Sequence, residues 1–218
     1  MIIERETGEV FNLKRIARVK KKYGLVTQKR KISKVRVAKK DEMAHATAPN
    51  LLQQNFDIKR PREVFSTDVT YLSNYRGQRA YLSAVKDLGT NEIVGYEVSL
   101  RNDLEFVMNS IKKSLSGVYS ADLIIHSDQG FQYTNECYRK YLEEKGVTQS
   151  MSRRGNCLDN APIESFFGHM KDELKYRDFK TLKDLQEKVD KYMNYYNFAR
   201  PQWGLKRKTP VEYRSLIA

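Results

Sequence analysis

Three carboxylates in this sequence stand where a purely structural residue would be an odd choice. Asp68, in FSTDVTYL, sits among residues that otherwise belong in a buried strand. Asp128, in HSDQGFQY, ends an apolar run and leads straight into Gln-Gly. Glu164, in DNAPIESFF, falls in the first turns of a helix, and 35 residues separate it from Asp128. Taken singly, each has a plain reading: strand-edge residue, turn former, surface helix charge. Brought together without bases between them, they would repel strongly unless cations sit there. Hard oxygen ligands supplied one at a time suit Mg²⁺ or Mn²⁺, which keep waters and take a substrate phosphate as a further ligand. Two such ions, about 3.5–4 Å apart, can activate a water or hydroxyl and stabilise a leaving 3′ oxygen in an in-line displacement.

The elements between these residues decide whether they can meet. Val64 to Leu72, Arg79 to Leu88 and Glu92 to Ser99 are rich in β-branched and aromatic residues. Asn74-Tyr75-Arg76-Gly77 and Gly89-Thr90-Asn91 supply turn chemistry between them, which predicts an antiparallel meander. Leu104, Val107, Ile111 and Leu115 then follow a helical period, capped by Asn102 or Asp103 and stopped by Gly117. A strand is expected over 122–126, a helix opened by Thr134 and ended by Gly146, and a short strand from Val147 to Met151. Asn160 can cap the next helix, with Pro162 in its first turn and Ile163, Phe166, Phe167, Met170 and Leu174 as its buried stripe. Thr181 to Asn197 reads as another helix, and Thr209-Pro210-Val211-Glu212 as a capping box. The order β-β-β-α-β-α-β-α predicts an α/β fold: a mixed five-stranded sheet flanked by helices. If the first and fourth strands are parallel neighbours, Asp68 and Asp128 reach the same edge of the sheet, where open α/β sheets place their ligands.

The net charge of +13 becomes informative once located. Of the 40 Lys and Arg, 13 lie between Lys14 and Lys40 with no Asp or Glu among them; the other 27 are matched by 27 acidic residues. The excess is therefore an N-terminal arm, the footprint of a phosphate-rich partner or else a solvated tail. Asn12 can cap a short helix there, with Leu13, Ile16 and Val19 on one side and Gly24 closing it; the polar stretch up to Pro61 reads as linker. The chain is long enough for one core of about 150 residues with extensions. It carries no run approaching the ~20 apolar residues of a membrane span and no signal peptide, so a cytoplasmic location is expected. Two Cys and three His at scattered positions argue against a zinc site.

The strings TDVTYL, HSDQGFQYT, SMSRRGNCLDNAPIESFFGHMKDEL and YYNFARPQWGLKRKTPVEY, together with Asp68, Asp128 and Glu164, resemble the DDE transposases and retroviral integrases. They are most similar to the second-reading-frame (OrfB-type) transposases of bacterial insertion sequences, from about Lys14 to Arg214. The resemblance implies a ribonuclease H-like core at 61–175, a C-terminal helical extension at 176–218, and a basic arm with a remnant of a helix-turn-helix-like unit at 1–60. It implies Asp68, Asp128 and Glu164 as catalytic residues and metal ligands, two Mg²⁺ or Mn²⁺ ions, and cleavage of element ends followed by strand transfer into target DNA. Double-stranded DNA, a homo-oligomer assembled on it and a nucleoid-associated location follow as expectations.

The family also carries a basic residue seven positions after its glutamate, here Lys171. Seven helical residues turn through about 700°, within about 20° of two turns, and advance about 10.5 Å, so Lys171 projects from the side of Glu164 and can hold a phosphate. The family's longer N-terminal segment is represented only by what resembles its last helix, FNLKRIARVKKKYGL, which predicts a truncated chain or one completed by an upstream-frame product or fusion. Lys20, Lys21, Lys22, Lys29 and Arg30 are the arm's candidate DNA contacts. SRRGN is either a loop over the site with Arg153 and Arg154 toward DNA, or an ordinary turn. His126 is read as structural, Gln132 and Tyr133 as lining the site, and Tyr192, Tyr195 and Tyr196 as core, although with Trp203 they could stack bases. Two other functions fit the same residues: a ribonuclease H-like nuclease or resolvase that cleaves without joining, and an idle DNA-binding remnant.

Overall fold

The computed structural model describes residues 8, 10–25, 47–117 and 119–217. Lys29, Arg30 and the rest of the arm beyond Leu25 lie outside the described residues. The chain divides into two compact units, residues 1–44 and 45–218. In the first, helix α1 (Leu13–Lys22) is capped by Asn12, whose Oδ1 accepts from the Lys14 amide at 2.9 Å, and the chain turns at Gly24 with φ +62°. Its residues are exposed, including Lys20, Lys21 and Lys22 in the last turn.

The second unit is built on five strands: β1 (Val64–Ser73), β2 (Arg79–Asp87), β3 (Ile93–Ser99), β4 (Ile124–Ser127) and β5 (Thr148–Met151). They lie in the order β3-β2-β1-β4-β5; β1–β2 and β2–β3 are antiparallel, β1–β4 and β4–β5 parallel. Helices α2 (Leu104–Ser114) and α3 (Glu136–Glu144) cover one face and α4 (Ala161–Glu173) and α5 (Leu182–Asn194) the other, with α6 (Pro210–Ile217) closing the chain. The two-residue period of a strand sorts the side chains between these faces. Phe65 and Val85 join Phe106, Ile111, Ile125 and Tyr138 on one side. Leu72, Leu82 and Ala84 join Ile163, Phe166, Met170, Val189 and Tyr192 on the other. Gly95 lets α2 approach β3 closely, because a Cβ there would stand 2.4 Å from the Ser110 carbonyl oxygen.

Several boundaries differ from the sequence expectation for local reasons. Strand β4 starts at Ile124 because Leu123 donates to the Ser120 carbonyl in a turn. Helix α3 is capped by Asn135 rather than Thr134, whose hydroxyl donates to the Gly130 and Phe131 carbonyls. The helix expected to reach Asn197 changes to a π-turn over Tyr195–Ala199. That wider turn directs Asn197 inward, where its amide pairs with both the N–H and the C=O of Ile93 at 2.9 and 3.0 Å. The capping box before α6 forms in both directions, Glu212 N to Thr209 Oγ1 and Thr209 N to Glu212 Oε2.

The stretch read as linker is not one over its whole length. Leu52 is buried with Val64 and Leu88, with Phe56 and Ile58 packed against them. The side chains of Asn50 and Gln54 both donate to Asp159. Polar composition concealed this, because the segment docks through two amides and three apolar side chains that follow no helical stripe.

Candidate active site

Strand pairing brings Asp68 and Asp128 to matched positions. The parallel ladder pairs Val64 with Ile124 and Ser66 with His126; two residues beyond that last pair stand Asp68, within β1, and Asp128, just past the end of β4. On β1 the even-numbered side chains face α4: Ser66 reaches Asn160, Thr70 reaches Lys171, and Leu72 packs with Phe166. Asp68 has the same parity and therefore faces the helix that carries Glu164.

Both aspartates are half-buried, and each carboxylate accepts a local backbone bond: Val69 N to Asp68 Oδ1 at 2.7 Å and Gly130 N to Asp128 Oδ1 at 2.9 Å. The second closes the turn that makes Asp128 look like a turn former. A Cβ at Gly130 would lie 2.9 Å from that same oxygen, so a larger residue there would push the Asp128 carboxylate aside. Burial, and then the negative charge of Asp128, push Asp68 up to about 8, with Glu164 adding to the effect and Lys171 opposing it. Burial also raises Asp128, and burial and then Asp128 raise Glu164. All three carboxyls thus hold protons more tightly than free ones, and each acts on or feels another of the three.

Glu164 is solvent-exposed in the first turn of α4. Among the described residues no three His, Cys, Asp or Glu side chains converge as a ready-made metal cage. The donor set nonetheless fits a hard divalent cation in kind: oxygen ligands only, two half-buried, with a repulsion that positive charge would relieve. Lys171 donates to Thr70 Oγ1 at 2.5 Å and lies 5.0 Å from the centre of the Tyr71 ring, two and three residues along β1 from Asp68. A pocket of about 290 Å³ opens beside the aspartates, with Gln132 and Tyr133 in its wall as expected and Asn102, Tyr71, Tyr81 and Phe131 in addition.

The loop before α4 holds an arrangement that sequence reasoning missed. Asn160 occupies the N-cap position but makes no capping bond. Its side chain crosses to β1, accepting from Ser66 Oγ at 2.8 Å and donating toward the Thr67 carbonyl at 3.5 Å. It thereby ties the start of the Glu164 helix to the strand of Asp68. Buried Asp159 accepts from the Arg153 backbone N–H and from Arg153 Nε and Nη2, each at 2.9 Å, which holds its carboxyl far below the ordinary carboxylate range. Arg153 is therefore engaged within its own loop, whereas Arg154 is exposed at the Gly155 turn. His126 is structural: it is buried, its Nδ1 2.8 Å from Ser150 Oγ and its Nε2 2.9 Å from the Asp159 carbonyl oxygen. The density of Asn and Asp in SRRGNCLDN was the available signal. Tyr192 and Tyr196 are core, packed tilted and edge-on against Phe166, with Tyr195 partly buried beside them.

A pH experiment reads how far burial and the neighbouring carboxylates raise Asp68. Asp68 binds its proton with a pKa of about 8 when folded and about 4 when unfolded. The folded state therefore holds the extra proton between those values, and stability without metal falls as pH rises through them. Asp68→Asn removes this dependence. The melting temperature of that variant minus that of the unaltered chain, without metal, should grow between pH 5 and pH 8. Each kcal/mol corresponds to about 2–4 °C at this chain length. A difference that stays flat with pH, measured by thermal denaturation in EDTA, would show that neither burial nor the neighbouring carboxylates raise Asp68.

Models of the integrase core domain match residues 58–157 and 145–210. An uncharacterized transposase-like protein of Haemophilus influenzae is 40% identical over 212 residues, covering 97% of this chain and 96% of that protein. The putative transposase InsK for insertion sequence element IS150 of Escherichia coli K12 is 43% identical over 171 residues, covering 78% of this chain and 60% of InsK. Among solved structures, the HTLV-2 integrase catalytic core domain in complex with magnesium superposes with a TM-score of 0.57 at 14% identity, covering 71% of this chain and 97% of that one. That likeness is one of fold, and it identifies the mixed sheet with its flanking helices as ribonuclease H-like.

Proposed function

The chain belongs to the bacterial insertion-sequence transposases built on an integrase core domain, and we propose that Asp68, Asp128 and Glu164 are the ligands through which it handles DNA ends. The family's activity is DNA transposition, and the enzyme is a DDE-type polynucleotidyl transferase. The observation that carries the site assignment is the matched placement of Asp68 in β1 and Asp128 just past the end of the neighbouring parallel β4, with Glu164 acting on Asp68 from the facing helix.

Two divalent ions, Mg²⁺ or Mn²⁺, would supply an activated water or 3′ hydroxyl and stabilise the departing oxygen. The chain's own part is positional. Asp68 and Asp128 offer oxygens from a rigid sheet edge, and Asn160 keeps the first turn of α4 against β1. Lys171, on the same side of α4 as Glu164, holds a phosphate next to the carboxylates. Arg154 lies at the exposed turn of the adjoining loop and meets the DNA backbone there. Because Arg153 is engaged by Asp159, a phosphate would have to displace that pairing to use it. Lys20, Lys21, Lys22, Lys29 and Arg30 provide sequence-independent attraction to duplex DNA.

Residues 1–60, 61–175 and 176–218 divide these tasks as arm, catalytic core and helical extension, with Asn50 to Ile58 at the end of the first span packed on the core. The working form is a homo-oligomer bridging two element ends and a target duplex in the bacterial cytoplasm, at the nucleoid. An upstream-frame product or fusion is a further partner. No described helix is long and apolar enough to cross a membrane. An assay with paired element ends, a labelled target duplex and Mg²⁺ tests this reading. Joined products are expected; nicked ends without joining would instead support the nuclease reading.

Lys171 gives a sharper local test. Lys171→Ala should lower cleavage at element ends by about tenfold or more while changing affinity for random duplex by less than about threefold, because one placed phosphate contact guides chemistry more than bulk binding. Lys171→Arg should be milder, although a planar fork does not reproduce an ammonium contact. Equal losses in cleavage and gel-shift assays would reduce Lys171 to a general backbone contact.

A further inference from the structure

Between Asp190 and Glu212 the chain carries five Lys and Arg and no acidic residue. Arg200 is taken up by Glu173, to which its Nε and Nη2 donate at 2.6–3.0 Å. The other basic residues near the end of this stretch, Lys206, Arg207 and Lys208, sit side by side on one tight turn, all exposed. The turn is rigid at its base. Gln202 and Lys208 form an antiparallel bridge, Gln202 Oε1 accepts from Asn91 Nδ2 at 3.1 Å, Leu205 is buried, and the α6 capping box follows at once. Trp203, the chain's single tryptophan, is 65% exposed on the same turn, with the Arg207 guanidinium 5.0 Å from its ring centre.

The backbone makes this arrangement hard to explain as a chain reversal alone. Lys206 (φ 54°, ψ 37°) and Arg207 (φ 63°) both occupy the left-handed region. Glycine or asparagine enters that region at much lower cost, and two consecutive long basic residues there are strained. The strain aims adjacent cations outward from a fixed base, beside a large aromatic face left in water. Cations at fixed spacing with an exposed aromatic ring are the elements that hold a nucleic-acid backbone and pack against its sugars or bases.

We propose that the Gln202–Lys208 turn is a second DNA-contact surface, separate from the carboxylate site, in which Lys206, Arg207 and Lys208 take backbone phosphates of a duplex and Trp203 packs against the same strand. The choice of DNA as ligand rests on the transposase reading; the surface itself does not depend on the three carboxylates. Its position supports a separate role. Gln202 is bonded to the β2–β3 turn at Asn91, whereas residues next to that turn pair with the start of β1, ahead of Asp68.

Trp203 reports on this surface directly. The full chain would be titrated with a random 30-base-pair duplex in EDTA, reading tryptophan emission together with anisotropy of the labelled DNA. Saturable quenching that tracks the anisotropy is expected; unchanged emission once the anisotropy has saturated overturns the proposal. Lys206→Gly combined with Arg207→Gly relieves the strain, so its melting temperature should equal or exceed that of the unaltered chain. Its affinity should fall roughly tenfold and its salt slope become shallower by about two. Lys208→Gln, at an unstrained position, should make the slope shallower by about one. Unchanged affinity in both variants, or a fall in melting temperature that accompanies the loss in the glycine variant, shows that the turn serves the fold alone. Equal quenching by polyglutamate would mark a general anion surface and also overturn the proposal. If cleavage is never observed yet quenching persists, the catalytic reading fails and this one stands.

Discussion

Asp68→Asn, Asp128→Asn and Glu164→Gln should each reduce divalent-ion-dependent nicking of element ends by about 100- to 1,000-fold, the scale on which removing one preorganised charge-stabilising group acts, with duplex binding and fold close to unaltered. The sizes should be similar although the residues differ in burial. Asp68 and Asp128 are half-buried at the sheet edge, and Glu164 is exposed at the start of α4. If each completes the coordination of an ion that must also hold substrate phosphate, two ligands cannot do the work of three, and losses in such a unit do not add. An Asp68→Asn, Glu164→Gln double variant should therefore be scarcely worse than either single one. Mn²⁺ should recover more activity than Mg²⁺ in Glu164→Gln, because Mg²⁺ demands the more nearly ideal octahedral geometry. The assay is gel-resolved cleavage of a labelled end with each ion. Wild-type nicking by Glu164→Gln would remove that residue from the site and leave a pair of aspartates.

What could be read in advance depended on periodicity. The alternation along β1 and the order of the elements along the chain were both present in the residues; that β1 and β4 are neighbours came from the sheet. An apolar run ending in Asp128 and a strand interrupted by Asp68 are enough to place two carboxylates at adjacent strand positions once the strands are parallel neighbours. Helical arithmetic likewise put Lys171 on the side of Glu164, and it reaches β1 at Thr70. Asn160 was legible only as a cap. Its amide could bond the turn below it or the strand across from it, and only the packing of α4 against β1 decides for Ser66. The same limit hid the docking of residues 47–58 and the pairing of Arg153 with Asp159, since amides and guanidinium groups find distant partners without any local period. The π-turn at Tyr195–Ala199 was hidden because Tyr192, Tyr195 and Tyr196 fit an uninterrupted helix equally well. The left-handed pair at Lys206 and Arg207 breaks a sequence rule outright, for nothing in Gly-Leu-Lys-Arg-Lys points to the first and second of those cations as the strained positions.

The arm between Lys14 and Lys40 should dominate the salt dependence of DNA binding. It holds 13 Lys and Arg and no acid, while the rest of the chain is formally neutral. If about six of those cations meet phosphates together, the arm contributes about −5 to the counterion-release slope, a share that lowers affinity for random duplex about 1,000-fold between 50 and 200 mM salt. The deletion that isolates this effect ends at residue 44, the limit of the first compact unit. Cutting at residue 60 would also remove Leu52 from its buried cluster and take away the Asn50 and Gln54 donors to Asp159, so lost binding could no longer be separated from lost structure. The shortened chain should keep its melting temperature and retain a slope of about −2 to −3, the share expected from Lys206, Arg207 and Lys208. Binding isotherms at five or so salt concentrations measure both slopes. A shortened chain with the full slope would make the arm a solvated tail and move the electrostatic work to the catalytic body. A slope near zero would leave the arm alone in attracting DNA and take the turn at Lys206 out of account.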